Sequence, residues 1–207
     1  MDESQSQLAY FALERRIVTL QLKPGALVTE KQLIELAGHG RTPVREAIQK
    51  LAWQGLMQVR PRVGLQIALI RPEDHADIMT VRRQLEPVAA GLAAAHASGP
   101  QRQAFLNCAA TMNAAAVSGD IVAFLSADKE FDVLIEQACP NRFLSAALEP
   151  LQTHSRRLWF SQATLEKLDR AVSLHVAVIR AIQQRDGPAA EAAMVGLIGY
   201  LAGESAL

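Results

Sequence analysis

Residues 41–51, Arg41-Thr42-Pro43-Val44-Arg45-Glu46-Ala47-Ile48-Gln49-Lys50-Leu51, decide how this chain folds. Pro43 falls in a first helical turn, where its missing N–H costs nothing. Ile48, Leu51 and Ala52 then give the helix an apolar face until Gly55 ends it. Upstream, Gly38-His39-Gly40 forms a tight turn. Before that turn, Thr29 and Gln32 have the spacing of a capping box for a short helix that runs to about Ala37. An earlier helix over residues 7–22 is stopped by Lys23-Pro24-Gly25, and Ala26-Leu27-Val28 is a brief extended piece. Downstream, Val59, the Pro61-Arg62-Val63-Gly64 turn, Leu65 and Ile67 alternate as a hairpin does. The segment reads helix, helix, tight turn, helix and a two-stranded wing.

Charge points the same way. The 207 residues carry 21 Lys+Arg against 21 Asp+Glu, half of them are hydrophobic and 5% are aromatic. This composition excludes a disordered, collagen-like or disulfide-stapled chain. Neutrality conceals an asymmetry. Residues 1–70 sum to +3, residues 71–207 to −3, and residues 31–62 alone to +4. A basic segment joined to an acidic one hints at nucleic-acid or membrane contact by the basic part. The polar start, MDESQSQLAY, is no secretory signal, and the longest apolar stretch is far short of the roughly 18 residues of a membrane span. Cys108 and Cys139 are too few and too far apart for a zinc knuckle or redox pair, and read as packed, reduced thiols of a cytoplasmic protein.

A helix-turn-helix presents the first residues of its second helix to base edges in the major groove. Arg41 and Arg45 lie four apart on one face there, and arginine reads guanine bidentately. Thr42 is placed for a phosphate near the helix N-terminus. Lys31, on the preceding helix, reaches backbone or base, and Arg62 and Gly64 at the wing tip approach the minor groove. Taken alone, two arginines on a helix face are solvated side chains paired with Glu46. It is the order of elements around them that favours DNA.

After the Arg71-Pro72 join every segment is helical. Three charged or polar residue types interrupt apolar stripes: Arg82 among Ile78, Leu85 and Ala89; Asp128 and Asp132 between Phe124/Leu125 and Ile135; and His175 among Leu168, Val172, Ile179 and Ile182. Buried carboxylates are costly unless a cation, hydrogen bonds or a metal compensates them. The convergence therefore suggests a polar cavity in a helical bundle. Against it, each aspartate alone reads as the wet edge of its stripe and His175 as a satisfied core histidine. Arg156-Arg157 reads as a solvated pair.

These residues carry a resemblance. Residues 17–67 resemble the winged-helix domain of GntR-type transcription factors: Leu22-Lys23-Pro24-Gly25 is similar to its "L-x-PG", Thr29-Glu30-Lys31-Gln32-Leu33 to its "E-x-x-L" helix, and Arg41 to Leu51 to its recognition helix. The departure is Gly40, where that family usually has a Ser or Thr cap. Residues 73–204 resemble the six- or seven-helix effector domain of the FadR-like (FCD) branch, through Val81 to Pro87, Asp128-Lys129-Glu130-Phe131-Asp132, Pro140-Asn141, and His175 with Ala181-Ile182 and Asp186.

The resemblance implies a mainly α fold, with a winged helix-turn-helix over 1–70 and an all-helical effector-binding and dimerisation domain over 71–207. It implies a transcription regulator, most often a repressor, rather than an enzyme. Such a protein binds a palindromic double-stranded DNA operator as a homodimer and responds to a small carboxylate metabolite. In metal-dependent members, Asp and three His hold an ion; by position these fall on Asp128, Asp132, His175 and Leu197, and leucine cannot ligate. A weakly held divalent metal on Asp128, Asp132 and His175 is one expectation. Metal-free sensing is the other, with a carboxylate on Arg82 (Arg83 or Arg157 less directly) and Asp128, Asp132 and His175 hydrogen-bonding the rest of the effector. Two further classes stay open: an all-helical metal-dependent enzyme using Asp128, Asp132 and His175, and an architectural DNA-binding protein without effector.

Overall fold

A computed structural model describes residues 4–203. The chain divides between Arg71 and Pro72 into two compact units. In the first, helix α1 spans Gln5–Val18, strand β1 Leu27–Val28, α2 Glu30–Ala37, α3 Arg41–Trp53, β2 Met57–Arg60 and β3 Gly64–Ile67.

Helix α1 lies two residues ahead of its expected start and ends four before its expected stop. Thr19 caps it, and Leu20 turns left-handed at φ 56° ahead of Pro24. Helix α2 has the full capping box: Thr29 Oγ1 accepts from Gln32 N–H, Gln32 Oε1 accepts from Thr29 N–H, and Gly38 closes the helix at φ 72°. The N-cap of α3 is Gly40, which offers no side-chain bond.

The wing is a three-stranded antiparallel sheet in the order β1-β3-β2, not a two-stranded hairpin. Leu27 and Val28 pair with Gln66 and Leu65, and Gly25 N–H donates to the Ile67 carbonyl. Two residues show no period, so a sequence cannot mark them as a strand. Long-range ladder bonds do. Tyr10, Leu13, Ile17, Leu33, Val44, Leu51, Leu56 and Ile67 close the core. Trp53, at the end of α3, is 95% exposed.

The second unit holds six helices among the described residues: α4 Pro72–His96, α5 Gly99–Ser118, α6 Ile121–Ala138, α7 Arg142–Ser161, α8 Leu165–Gln184 and α9 Gly187–Leu201. The sequence places their stops locally. Ser98 and Gln101 form a capping box on α5, while Asp120, Asn141, Thr164 and Asp186 cap the next four helices through their side chains. Each such cap contributes about 1 kcal/mol. Helices α4 and α9 pack closely because Gly91 has no side chain; a Cβ there would collide with Glu191. Phe105, Phe124, Phe131, Leu168, Val178, Ile182, Leu197 and Ile198 are among the buried residues of this unit. Both cysteines are buried, and burial pushes the Cys108 thiol up to about 12, so it is inert. Among the described residues no helix is long and apolar enough to cross a membrane.

Candidate DNA-reading face and buried effector cluster

Helix α3 turns Val44, Ala47, Ile48 and Leu51 into the core and leaves Arg41, Thr42 and Arg45 outside. The partner of the two arginines is Glu30, not Glu46. Arg41 Nε and Arg45 Nε each donate to one Glu30 carboxylate oxygen at 2.9 Å. These two bonds hold the Glu30 carboxyl below its ordinary pKa. The arginine side chains remain 70% and 57% exposed, so the clamp is a surface one. Glu46 instead accepts from Ser6 Oγ.

A cleft of about 660 Å³ runs between α3 and the wing, and its walls include Arg45, Gln49, Arg60, Arg62 and Gly64. The structure thus brings Arg45, Arg62 and Gly64 together and ties Arg41 to them through Glu30. Lys31 and Thr42 are exposed but do not line this cleft. Gln49 and Arg60 escaped sequence reading, although Gln49 continues the Arg41–Arg45 spacing by one more turn. Arg62 sits at φ 64°, where a side chain is strained, and Gly64 at φ 116°. Lys50 contributes to the basic count but lies 4.1 Å from the centre of the Tyr10 ring.

In the second unit Arg82, Asp128, Asp132 and His175 line one small cavity, joined by Gln152, Ser155, Arg156 and Trp159. Its charged and polar groups come from four helices, and Leu201 of a fifth, α9, closes the wall. From α4, Arg82 donates through Nε and Nη2 to the two oxygens of Glu86 at 2.6 and 3.1 Å, and through Nη1 to Ser155 of α7 at 2.6 Å. From α7, Arg156 donates through Nε to Asp128 Oδ2 at 2.7 Å and through Nη2 to Asp132 Oδ2 at 2.6 Å, both on α6. From α8, His175 Nε2 meets Asp128 Oδ1 at 2.9 Å.

His175 Nδ1 lies 2.8 Å from the Ala171 carbonyl, which can only accept. Both ring nitrogens therefore face acceptors, an arrangement that favours the protonated ring. Burial would lower its pKa, but the bond to Asp128 more than offsets this and raises it. Burial also acts to raise Asp128, and the His175 bond with the His175 and Arg156 charges overcomes it, holding that carboxyl near 2. Burial dominates at Asp132 and pushes it upward. Phe124 and Phe131 meet the His175 ring edge-on at 5.8 and 5.1 Å, and Trp159 packs on Phe124.

Two expectations change here. Arg156 and Arg157 are not solvated; they are 7% and 1% exposed. A carboxylate effector on Arg82 meets a guanidinium that already holds Glu86, an internal carboxylate four residues along the same helix. Both missed partners left a trace. Glu86 stands at i+4 from Arg82, and Arg156 continues the Leu144, Leu148, Gln152 row at the same spacing.

The donor set does not fit a metal ion. Arg156 bridges Asp128 and Asp132, both nitrogens of His175 face acceptors, and Leu197, on which the resemblance puts the fourth ligand, is a buried side chain that cannot ligate. Among the described residues no group of three His, Cys, Asp or Glu is arranged to hold a metal. An all-helical metal-dependent enzyme would need the same Asp128, Asp132 and His175, the two carboxylates of which Arg156 already engages.

A winged helix-turn-helix beside a helical bundle with a buried polar centre defines a class of bacterial regulators, and comparison gives the family. Residues 5–67 match "Bacterial regulatory proteins, gntR family", and residues 77–199 match the FCD domain. The chain belongs to the GntR family of transcriptional regulators with an FCD domain. It is 28% identical over 190 residues to the HTH-type transcriptional repressor RspR of Escherichia coli K12, covering 91% of this chain and 83% of that one. It is 28% identical over 174 residues to a "Probable D-xylose utilization operon transcriptional repressor" of Paenarthrobacter nicotinovorans, covering 84% and 76%. A regulator of Streptomyces ambofaciens matches at 39% over 77 residues only, a third of its own length. Among solved structures, E. coli McbR/YncC superposes with a TM-score of 0.82 over 96% of this chain and 95% of that one, at 19% identity, a likeness of fold.

Proposed function

We propose that this chain is a ligand-responsive repressor that binds a palindromic operator as a homodimer in the cytoplasm, with its affinity set by a small carboxylate metabolite in the helical unit. The observation that carries the DNA reading is the exposed Arg41–Arg45 pair at the N-terminal turn of α3, fixed by Glu30 beside the wing cleft. Arg41 and Arg45 would read base edges. Thr42 and Lys31 would hold phosphates, and Arg62 and Gly64 would follow the minor groove. Two symmetry-related recognition helices about one DNA turn apart call for a two-fold dimer. The names of the two relatives above support repression.

For the effector, the buried cluster of Arg82, Asp128, Asp132 and His175 supplies fixed polar groups. The cavity at the cluster measures about 20 Å³, room for a water and no more. A larger one of about 410 Å³ shares Ser155, Trp159 and Leu201 with it and also has His75, Lys167 and Tyr200 in its walls. The body of a metabolite fits the larger space. Its acid group would approach Arg82 at the shared wall, where Arg82 Nη1 donates to Ser155, and would leave the Glu86 pair in place.

The test is fluorescence anisotropy on DNA flanking the protein's own gene, with the parent chain and Arg45→Ala, in the presence and absence of a panel of short carboxylic acids. Specific binding that Arg45→Ala abolishes, and that one acid alters in the parent, is the expected result. Equal binding by both chains would sink the recognition-helix assignment. Binding indifferent to every acid in the panel would remove the carboxylate.

A further inference from the structure

Helix α8 turns one face inward, through Leu168, Ala171, Val172, His175, Val178, Ile179 and Ile182, all buried. Its opposite face runs Asp169, Ser173, Val176 and Arg180. Asp169, Ser173 and Arg180 are exposed and Val176 is half-buried. With Asn113, Ala116 and Val117 of α5 this row lines a shallow groove of about 680 Å³. Val117 is 91% exposed, and Ala116, Val172, Val176 and Ala177 complete the apolar part of the groove. Apolar side chains gathered along a groove in this way mark an interaction surface.

Charge and spacing say what covers it. Asp169 and Arg180 are eleven residues apart, which is three helical turns, about 16 Å along the axis and within about 20° of the same face. They carry opposite charges, and neither makes an ion pair among the described residues. The residues between them are small, Ser173 and Ala177 with Val176, so another helix can approach at the 8–10 Å of close packing. A self-complementary patch under two-fold symmetry requires that residue i meet j while j meets i. An antiparallel pair of α8 helices meets this condition at both ends at once, whereas a parallel pair sets like charges opposite each other.

We propose that the α5–α8 groove is the docking surface for a second copy of this chain, the two α8 helices crossing antiparallel about a two-fold axis between Ser173 and Val176, so that Asp169 of each copy faces Arg180 of the other. This rests on the dimer reading above and gives it a surface. Val117 of each copy then covers the apolar flank of the groove.

The test is sedimentation equilibrium of the full chain as parent, Asp169→Arg, Arg180→Asp and the double exchange, with circular dichroism to show intact helices. The parent should be a dimer. Each single exchange sets like charges together twice per dimer and should weaken association at least about tenfold. The double exchange should recover it to within about threefold, because both pairs are rebuilt with reversed sign. Val117→Asp, from the α5 side, should weaken association without rescue by either charge. A dimer untouched by the single exchanges, or a double exchange no better than the singles, would overturn the surface while leaving the dimer. A parent that is monomeric at every concentration would overturn the dimer itself.

Discussion

The arginine–carboxylate clamps of the two units use the same chemistry to opposite ends. In the first unit Glu30 holds Arg41 and Arg45 at 2.9 Å, with both arginines more than half exposed. In the second, Arg156 holds Asp128 and Asp132 at 2.7 and 2.6 Å with its side chain 7% exposed, and Arg82 holds Glu86 at 2.6 Å with 6%. Exposed pairs contribute about 0–1 kcal/mol and exchange readily with other anions. Buried pairs add little net stability as pairs, yet removing one member strands the other charge out of water. On the proposed DNA reading, the first clamp is a temporary partner for side chains that would meet phosphates and bases. The second is part of the interior. The difference lies in solvent, not in residue type.

The largest expected effect breaks the buried clamp. Arg82→Ala leaves Glu86 without its cation and should cost about 3–5 kcal/mol in the urea unfolding of the helical unit. Arg41→Ala should move the urea unfolding of its own, winged unit by less than about 0.5 kcal/mol. Similar losses from both would erase the distinction.

Next comes Arg156→Met, which keeps volume and removes charge. With the guanidinium gone, Asp128, Asp132 and His175 should take up one divalent ion per chain by elemental analysis, and the parent should take up none. Stoichiometric metal in the parent would show that Arg156 does not exclude it.

Arg45→Ala should lower operator affinity by about 1–3 kcal/mol, with no change in melting temperature. Glu30→Gln frees both arginines and should raise non-specific DNA affinity about two- to fivefold at low salt. A fall instead would mean that Glu30 positions the arginines rather than screening them.

The smallest effect is Gly40→Ser. A Cβ there meets nothing nearer than Pro43 at 3.9 Å, so the missing cap can be restored. The gain should be a few tenths of a kcal/mol, read as a small rise in melting temperature.

What the sequence made legible follows from how local each signal is. The capping box at Thr29 and Gln32, the left-handed Gly38 and the alternation around Gly64 are short-range, and they mark the winged helix almost to the residue. Strand β1 was legible as an extended piece but not as a member of the wing sheet, because its partners lie nearly forty positions away. In the helical unit, a charge on an apolar stripe was enough to pick out Arg82, Asp128, Asp132 and His175, which the fold does bring together. Their partners were harder. Arg156 sits next to another arginine, and a pair of adjacent charges reads as a wet surface until tertiary packing covers it. Glu30 lies eleven and fifteen residues from the arginines it holds, across a turn whose geometry no spacing rule supplies. Residue types that need compensation are visible in a sequence; which group compensates them is a matter of three dimensions.

The chain has two tryptophans, and the fold has put one in each unit: Trp53 bare at the end of α3, Trp159 against Phe124 in the wall shared by the two cavities. The molecule therefore carries two intrinsic optical probes in unlike surroundings. With Trp53→Phe, emission comes from the cavity wall of the helical unit alone; with Trp159→Phe, it comes from the end of α3 alone. Ligand entry and operator engagement can then be followed as separate signals from the same protein, without a label.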